Sequence, residues 1–161
     1  VDYYNPLVQG IIRAVDLPSQ FLRSGIKPFR NIDFASFLVA VFIQAGAFYL
    51  AVMAGSVDYD PVKILMWSTY SVILLMLKMV WWILLGGIIL SFVASNNFHP
   101  AIVLIRQMSE KFFSPFRIFL PPMGGLDFSP IFAFILLNFL QSIFVQFAIE
   151  SGLPVWLSVG F

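Results

Sequence analysis

The sequence predicts an all-α membrane protein, with three transmembrane helices and two amphipathic interfacial helical segments arranged as two parallel repeats. Composition is the first observation behind this prediction. Of the 161 residues, 60% are apolar and only 11% are charged, and the mean hydropathy is +0.93. A soluble domain carries about a quarter of its residues as charged ones, whereas a chain surrounded by lipid does not need them. The other two observations are the spacing of long apolar runs and an internal repeat.

Charge and residue content exclude several classes of function. The net charge is +1, so no overall field attracts nucleic acid, and no nucleic-acid partner is expected. Cysteine is absent, which excludes disulfides, thiolate metal sites and cysteine nucleophiles. The single histidine, His99, has no neighbours that could orient it as a base or a ligand. We therefore expect no enzymatic activity, no cofactor and no metal site.

The first apolar run predicts a transmembrane helix at residues 34–54. This run carries no charge and is closed by Gly55, and about 20 such residues are enough to cross the hydrocarbon core. The preceding segment, residues 4–32, is basic and contains prolines. We expect this segment to lie on the membrane surface. The two elements form a first repeat, residues 1–55.

A polar loop and a second, longer apolar run follow the first span. Residues 56–76 are predicted to form a periplasmic loop and an interfacial stretch, with Trp67 and Tyr70 at headgroup level. The apolar run over residues 62–95 is too long for one span, because a helix rises about 1.5 Å per residue. We therefore place the second span at residues 77–94. The stretch before it is either interfacial or a helical extension.

The remainder of the chain repeats the order of surface segment and span. After Asn97 charged residues are mixed with apolar ones, and Pro115, Pro121 and Pro122 are expected to break any long helix that starts at Pro100. The second repeat, residues 77–161, is predicted to contain a span at 77–94, a surface segment at 98–126, a span at 128–149 and an interfacial tail at 150–161.

Basic residues predict the orientation of the chain. Lys and Arg in short loops mark the cytoplasmic side of a membrane. Seven of the nine basic residues lie in the two surface segments, and they are candidates for contact with lipid or a partner: Arg13, Arg23, Lys27, Arg30, Arg106, Lys111 and Arg117. Both surface segments are therefore predicted to be cytoplasmic, and the C-terminus periplasmic.

An internal repeat appears when the chain is aligned with itself in one ungapped register. Six identities fall in that register: Pro6 on Pro100, Ile11 on Ile105, Arg23 on Arg117, Pro28 on Pro122, Asp33 on Asp127 and Phe34 on Phe128. In the same register His99 stands where the first copy has Asn5. A repeat of this length indicates a duplicated structural unit. Because both copies enter the membrane from the same side, the repeats are parallel.

Polar residues occur both at the entrances of the spans and inside them. The span-entrance carboxylates, Asp33 and Asp127, are expected to cap helices or to pair with the nearby arginines, with an ion-linked role as the alternative. Inside the spans, Gln44 and Asn138 are expected to form hydrogen bonds between helices.

Small residues predict surfaces for close helix contact. Ala47, Ala51 and Gly55 recur at four-residue spacing, and Gly86 and Gly87 form a second smooth patch. Packing within the chain and contact between copies in a homo-oligomer are both compatible with this pattern.

Two sequence motifs carry a resemblance to a known family. Ser-Pro-Phe-Arg at residues 114–117 and Leu-Pro-Pro-Met-Gly-Gly-Leu-Asp-Phe-Ser-Pro at residues 120–130 resemble the YggT family of bacterial inner-membrane proteins. Tyr4-Asn5-Pro6 and the residues after it are similar to the degenerate first half of two-repeat members. The resemblance implies a multi-pass protein of the bacterial inner membrane. In that family each repeat follows its own transmembrane helix, so a further span is expected before Tyr4.

Two classes of function follow from these features. The first is a non-enzymatic inner-membrane organiser, or an assembly or stress-response factor, that acts through its basic amphipathic segments. The alternative is a small ion or osmolyte transporter or channel component, because the family resemblance implies a link to osmotic stress and potassium uptake. The expected partners are membrane lipids and either further copies of the chain or the subunits of a larger membrane complex.

Overall fold

A computed structural model describes residues 4–23, 33–56, 58–93, 99–119 and 127–153 of the chain. Within these residues the protein forms five helices and no strand: α1 (Pro6–Arg23), α2 (Phe34–Met53), α3 (Pro61–Val93), α4 (Pro100–Phe119) and α5 (Ser129–Glu150). Three of them, α2, α3 and α5, are long and apolar enough to cross a membrane. The predicted all-α fold with three helices able to span a membrane is thus confirmed.

Each of the five helices begins next to a side chain that accepts a backbone N–H from its first turn. This arrangement satisfies donors that a helix start otherwise leaves without an acceptor. The donor and acceptor pairs are Leu7 N to Asn5 Oδ1 at 3.0 Å, Ala35 N to Asp33 Oδ1 at 3.2 Å, Val62 N to Asp60 Oδ1 at 3.0 Å, Ala101 N to His99 Nδ1 at 3.3 Å and Ser129 N to Asp127 Oδ1 at 2.9 Å. The helix starts are therefore specified by residues immediately before them.

Two of the apolar helices, α2 and α5, end at a glycine in the left-handed region. Gly55 has φ +70° and Gly152 has φ +78°, a conformation that side chains with a Cβ rarely adopt. After each helix the chain makes the same pair of hydrogen bonds: Gly55 N to Val52 O and Ser56 N to Ala51 O, then Gly152 N to Ile149 O and Leu153 N to Ala148 O. These Schellman motifs stop both helices within a residue of the predicted span ends.

The third helix, α3, is continuous from Pro61 to Val93. At about 1.5 Å per residue it is about 50 Å long, so fitting it inside a hydrocarbon core of about 30 Å would require a tilt of about 53°. Because transmembrane helices tilt by at most about 40°, part of α3 must lie outside the core. The stretch before residue 77 is part of this one continuous helix, while the predicted position of the span within α3 stays a prediction.

Pro115 lies inside α4, so the predicted interruption of this helix is wrong. Proline removes one backbone hydrogen bond and crowds the carbonyl four residues earlier. The helix nevertheless continues to Phe119, because residues on both sides of the proline are held by other contacts. Phe113 and Phe116 pack in an apolar cluster, and Arg117 is ion-paired.

The chain divides into two compact units. The first comprises Val1–Ile11 and Leu77–Ser142, and the second comprises Ile12–Met76 and Ile143–Phe161. In the first unit, the buried residues Leu84, Phe113, Ala133 and Leu137 form an apolar cluster contributed by α3, α4 and α5. This cluster is the packing framework of the candidate site described below.

The second unit has its own core, centred on Trp67. This side chain is 5% exposed, its ring lies 5.9 Å from that of Phe48, and its indole N–H donates to the Ser151 carbonyl at 3.1 Å. Leu74 and Leu153 are buried in the same cluster. Trp67 therefore packs inside the protein, while its predicted depth at headgroup level stays a prediction.

Large apolar side chains cover the outside of the apolar helices. On α2 the exposed ones include Phe42, Ile43, Leu50 and Met53, and on α5 they include Ile131, Ile135 and Phe139. Soluble monomers rarely expose contiguous apolar surface on this scale. Lipid is the solvent that makes such a surface favourable, as expected for membrane-spanning helices.

Candidate functional site

A groove in the first unit is the candidate site. It has a volume of about 600 Å³, within the range of about 300–1,000 Å³ that is typical of ligand pockets. The last turns of α3, the middle of α4 and the start of α5 contribute its lining: Gly87, Ile88, Ser91, Phe92, Arg106, Ser109, Glu110, Phe113, Arg117, Asp127, Pro130 and Ile131.

Arg117 links two carboxylates at one side of the groove. Its Nε donates to Asp127 Oδ2 at 2.7 Å, while its Nη1 and Nη2 donate to the two carboxylate oxygens of Glu110, Nη2 to Oε1 at 3.3 Å. Glu110 lies two turns before Arg117 on α4, and Asp127 precedes α5. The guanidinium thus ties the last turns of α4 to the start of the third apolar helix.

Solvent exposure limits the energy of this ion-paired group. The exposed fractions are 39% for the Arg117 side chain, 52% for Glu110 and 30% for Asp127. Ion pairs this accessible stabilise a fold by about 0.2–1 kcal/mol each. Their main effect is therefore to fix the positions of three charged groups.

The same contacts shift two pKa values in opposite directions. Hydrogen bonds to Glu110 and Asp127 raise the pKa of Arg117 above its ordinary value, so this side chain keeps its charge. For Asp127, desolvation favours the protonated form. Hydrogen bonds from Ser129 and Arg117 outweigh that effect and hold the pKa of the carboxyl below its ordinary value of 3.8. Both groups are thus charged near neutral pH.

Close contact between α3 and α4 forms the floor of the groove. A Cβ added at Gly87 would overlap the Oγ and Cβ of Ser109, and a Cβ at Gly86 would lie 3.4 Å from Ile105 Cγ2. Ser109 is 3% exposed, and its hydroxyl donates to the Arg106 carbonyl at 3.0 Å. Of the two interpretations of the Gly86 and Gly87 patch, packing within the chain describes this contact.

Apolar residues hold α5 against the same floor. Phe113 of α4 is 4% exposed and packs with Leu84 of α3 and Ala133 of α5. The rings of Trp81 and Phe134 meet edge to face, with centroids 5.5 Å apart. Such packing, rather than hydrophobic transfer from water, is the main source of contact energy between helices in lipid.

The predicted basic residues occupy different places. Arg106 and Arg117 both line the groove, whereas Lys111 is exposed on α4 and is not part of the lining. Arg13 is exposed on α1, in the second unit. The remaining three fall outside what is described: Lys27 and Arg30 entirely, and Arg23 with its side chain.

The predicted carboxylates and amides have local partners. Asp33 Oδ1 accepts from the backbone N–H groups of Ala35 and Ser36, and its Oδ2 accepts from the Ser36 hydroxyl at 2.7 Å. Asn138 donates to the Phe134 carbonyl of its own helix at 2.9 Å, while Gln44 is half-buried on α2. A bond between helices through these amides stays a prediction.

A contact between the starts of α1 and α4 was not anticipated from the sequence. Asn5 is 7% exposed, and its Nδ2 donates to the Pro100 carbonyl at 2.8 Å while its Oδ1 accepts from Leu7. The alignment of Asn5 with His99 marked both residues as equivalent, but equivalence in a repeat does not by itself predict contact. Glu110 was also missed as a partner of Arg117, although its position two turns earlier on one helix face was visible in the sequence.

Comparison with known proteins gives consistent results. The family model described as CCB3/YggT matches residues 66–148. Uncharacterized protein PA0392 of Pseudomonas aeruginosa is 38% identical over 161 residues, covering 98% of this chain and 82% of that protein. Uncharacterized protein YggT of Escherichia coli K12 is 32% identical over 140 residues, covering 84% and 70%. No solved structure matches. On this evidence the chain belongs to the CCB3/YggT family.

Proposed function

We propose that the protein is a non-enzymatic organiser or assembly factor of the bacterial inner membrane, which acts through α1 and α4 at the cytoplasmic surface. The observation that carries the proposal is that these two helices are joined to each other at their starts. They are not among the three apolar helices long enough to cross a membrane, and their starts are joined by the hydrogen bond from Asn5 to the Pro100 carbonyl. Joined at their starts, these two platform helices are proposed to lie at the membrane surface rather than to form a passage through the membrane.

The exposed face of α1 supports its placement at the lipid surface. Leu7, Ile11 and Val15 are all exposed and recur every four residues, so they form one apolar stripe. Arg13 is exposed on the same helix. A helix of this kind buries its apolar stripe at the headgroup boundary and keeps its basic side chains in water.

The helix starts support the proposed duplication. Asn5 and His99 both accept a backbone N–H at the first turn of a helix that begins with proline, and Asp33 and Asp127 do so at the entrances of α2 and α5. These pairs keep the register found in the sequence. In the proposed arrangement both copies present their surface helix to the same, cytoplasmic side.

A transporter or channel component is the second candidate. The groove with Arg106, Glu110, Arg117 and Asp127 favours it, because charged groups near a span can bind ions. The carboxylates, however, are engaged: Asp33 caps α2, and Asp127 binds both Ser129 and Arg117. These carboxylates already accept hydrogen bonds that stabilise the helix starts. We therefore rank transport second.

Ion flux and complex formation distinguish the two functions. Liposomes containing the wild-type protein should show no more flux of protons or potassium than empty liposomes, and Asp127→Asn should make no difference. Purification in native lipid should yield a homo-oligomer or a defined complex of fixed stoichiometry. Flux that depends on Asp127 would contradict the organiser function.

The role of the basic surfaces is tested by charge removal. Arg13→Gln with Lys111→Gln should weaken the complex, because both residues are exposed and lie on the two platform helices. Lys63→Gln is the matched control, since Lys63 is an exposed lysine at the start of α3 that pairs only loosely with Asp60, at 4.0 Å. Equal weakening by the control would show that the effect does not belong to α1 and α4.

A further inference from the structure

The charges that line the groove are balanced in sign. Arg106 and Arg117 supply two positive charges, and Glu110 and Asp127 supply two negative ones. A groove with no net charge has no long-range preference for an anion or a cation. It does complement a ligand that carries one charge of each sign close together.

The spacing of these charges defines the size of such a ligand. Arg106 and Glu110 are four residues apart on α4, so they lie on one helix face about 6 Å apart along the axis. The Glu110 carboxylate is half exposed and uses one oxygen for each Arg117 donor. A carboxylate has about four acceptor positions, so this group can accept further hydrogen bonds from an ammonium.

Part of the groove wall is apolar and exposed. Phe92 near the end of α3 is 84% exposed, and Ile131 in the first turn of α5 is 54% exposed. Both residues belong to helices long enough to cross a membrane. Beside lipid, this wall suits hydrocarbon, whereas the face formed by Arg106 and Glu110 suits a polar headgroup.

We propose that the groove binds a phospholipid with a zwitterionic, primary-amine headgroup, as in phosphatidylethanolamine. The phosphate lies at Arg106, the ammonium donates to Glu110, and an acyl chain runs along Phe92 and Ile131. An anionic lipid without an amine offers the Glu110 carboxylate no cationic donor, and a choline headgroup has no N–H to donate to it. The inference rests on the proposed function, because it requires α4 to lie at headgroup level.

Lipid selectivity tests the proposal directly. Purified full-length protein in detergent is titrated with phosphatidylethanolamine, phosphatidylcholine or phosphatidylglycerol of identical acyl chains, and the thermal unfolding midpoint is followed. Phosphatidylethanolamine should act at about tenfold lower concentration than the other two, as expected for the gain of one hydrogen bond to a charged group. Equal responses to all three lipids, or a stronger response to phosphatidylglycerol, would overturn the proposal.

Two variants locate the effect in the groove. Arg106→Gln removes the proposed phosphate contact, and Ser91→Phe fills the groove without removing a charge; Ser91 is exposed and donates only to the Ile88 carbonyl of its own helix. Both should abolish the preference for phosphatidylethanolamine. Lys63→Gln is the control, because Lys63 is an exposed lysine of α3 that lies outside the lining. Retention of the preference in Ser91→Phe would overturn the proposal even if Arg106→Gln failed to fold.

A separate measurement distinguishes failure of this inference from failure of the proposed function. A fluorophore attached through Lys111→Cys should be quenched by nitroxide at headgroup depth if α4 lies on the membrane. Interfacial quenching without lipid selectivity would overturn only the groove proposal. Absence of interfacial quenching would contradict both.

Discussion

At the scale of single residues, Gly87 sets the distance between α3 and α4. Because a Cβ at this position would overlap Ser109, Gly87→Ala must separate the two helices. Overpacking of this kind costs about 1–3 kcal/mol, and the higher helix propensity of alanine offsets at most about 1 kcal/mol. We expect a lower unfolding midpoint in detergent, measured by circular dichroism.

Gly46 provides the control for this substitution. It is also a glycine within an apolar helix, and nothing lies within 4 Å of a Cβ added there. Gly46→Ala should therefore leave the midpoint unchanged or raise it slightly. A midpoint lowered equally by both substitutions would show that Gly87 has no special role in the contact.

Asp127 predicts a pH dependence of stability. Its pKa in the folded protein lies below the ordinary value of 3.8, so the unfolded chain binds the proton more readily. The stabilisation from this carboxylate is complete above that ordinary value and is lost as the pH falls through the lower, folded pKa. Asp127→Asn should thus lower the midpoint at neutral pH and reduce its decline between about pH 5 and pH 3.

The matched control for that measurement is Asp58→Asn, at an exposed loop position. Its stability profile should follow that of the wild-type protein across the same pH range. An unchanged profile in Asp127→Asn would mean that the bonds from Ser129 and Arg117 do not contribute to stability.

At the scale of helices, the junction of α1 and α4 depends on two atoms of one amide. Asn5→Asp keeps an oxygen for the N–H of Leu7 but removes the donor to the Pro100 carbonyl. It also leaves a charge at a nearly buried position. We expect destabilisation of about 1–3 kcal/mol, measured by denaturant unfolding in mixed micelles.

A substitution at the equivalent position of the other helix serves as the control. His99→Asn keeps a side-chain acceptor for the N–H of Ala101, and asparagine is a strong N-cap residue. Its stability should match that of the wild-type protein. If Asn5→Asp were equally well tolerated, the bond to Pro100 would have no role in joining the helices.

How much of the fold was predictable depended on where the determining contacts lie. The starts of α2 and α5 followed from Asp33 and Asp127, and their ends from apolar run length, because capping involves neighbouring residues only. The continuation of α4 through Pro115 was not predictable, since the contacts that hold it come from Phe113 and its partners on other helices.

The candidate site shows the same division. Basic residues on the surface segments and the smooth patch at Gly86 and Gly87 were visible in the sequence. The groove was not, because it forms only where Gly87 allows Ser109 to approach and where Arg117 reaches Asp127. Distances between separate helices carry no local signature in composition or periodicity.

At the scale of the whole molecule, the absence of cysteine makes the proposed orientation measurable. Single substitutions Arg13→Cys, Lys111→Cys and Tyr59→Cys each introduce the chain's only thiol, and all three positions are exposed. In cells, a membrane-impermeant maleimide should label only Tyr59→Cys, in the loop between α2 and α3. In inverted vesicles it should label Arg13→Cys and Lys111→Cys instead.

The wild-type protein is the control, since it has no thiol to label. Labelling of Arg13→Cys and Lys111→Cys from opposite sides would contradict parallel repeats. Labelling of all three positions from one side would contradict the single span that is predicted between each surface segment and the loop containing Tyr59.

The bond from Asn5 to Pro100 also constrains the timing of biosynthesis. Its two residues are 95 positions apart, and ribosomes add about 5–20 residues per second. The start of α1 therefore waits about 5–20 s for its acceptor to be synthesised. During that interval α2 and α3 emerge, so Asn5 has no Pro100 carbonyl to bind until the start of α4 has been made.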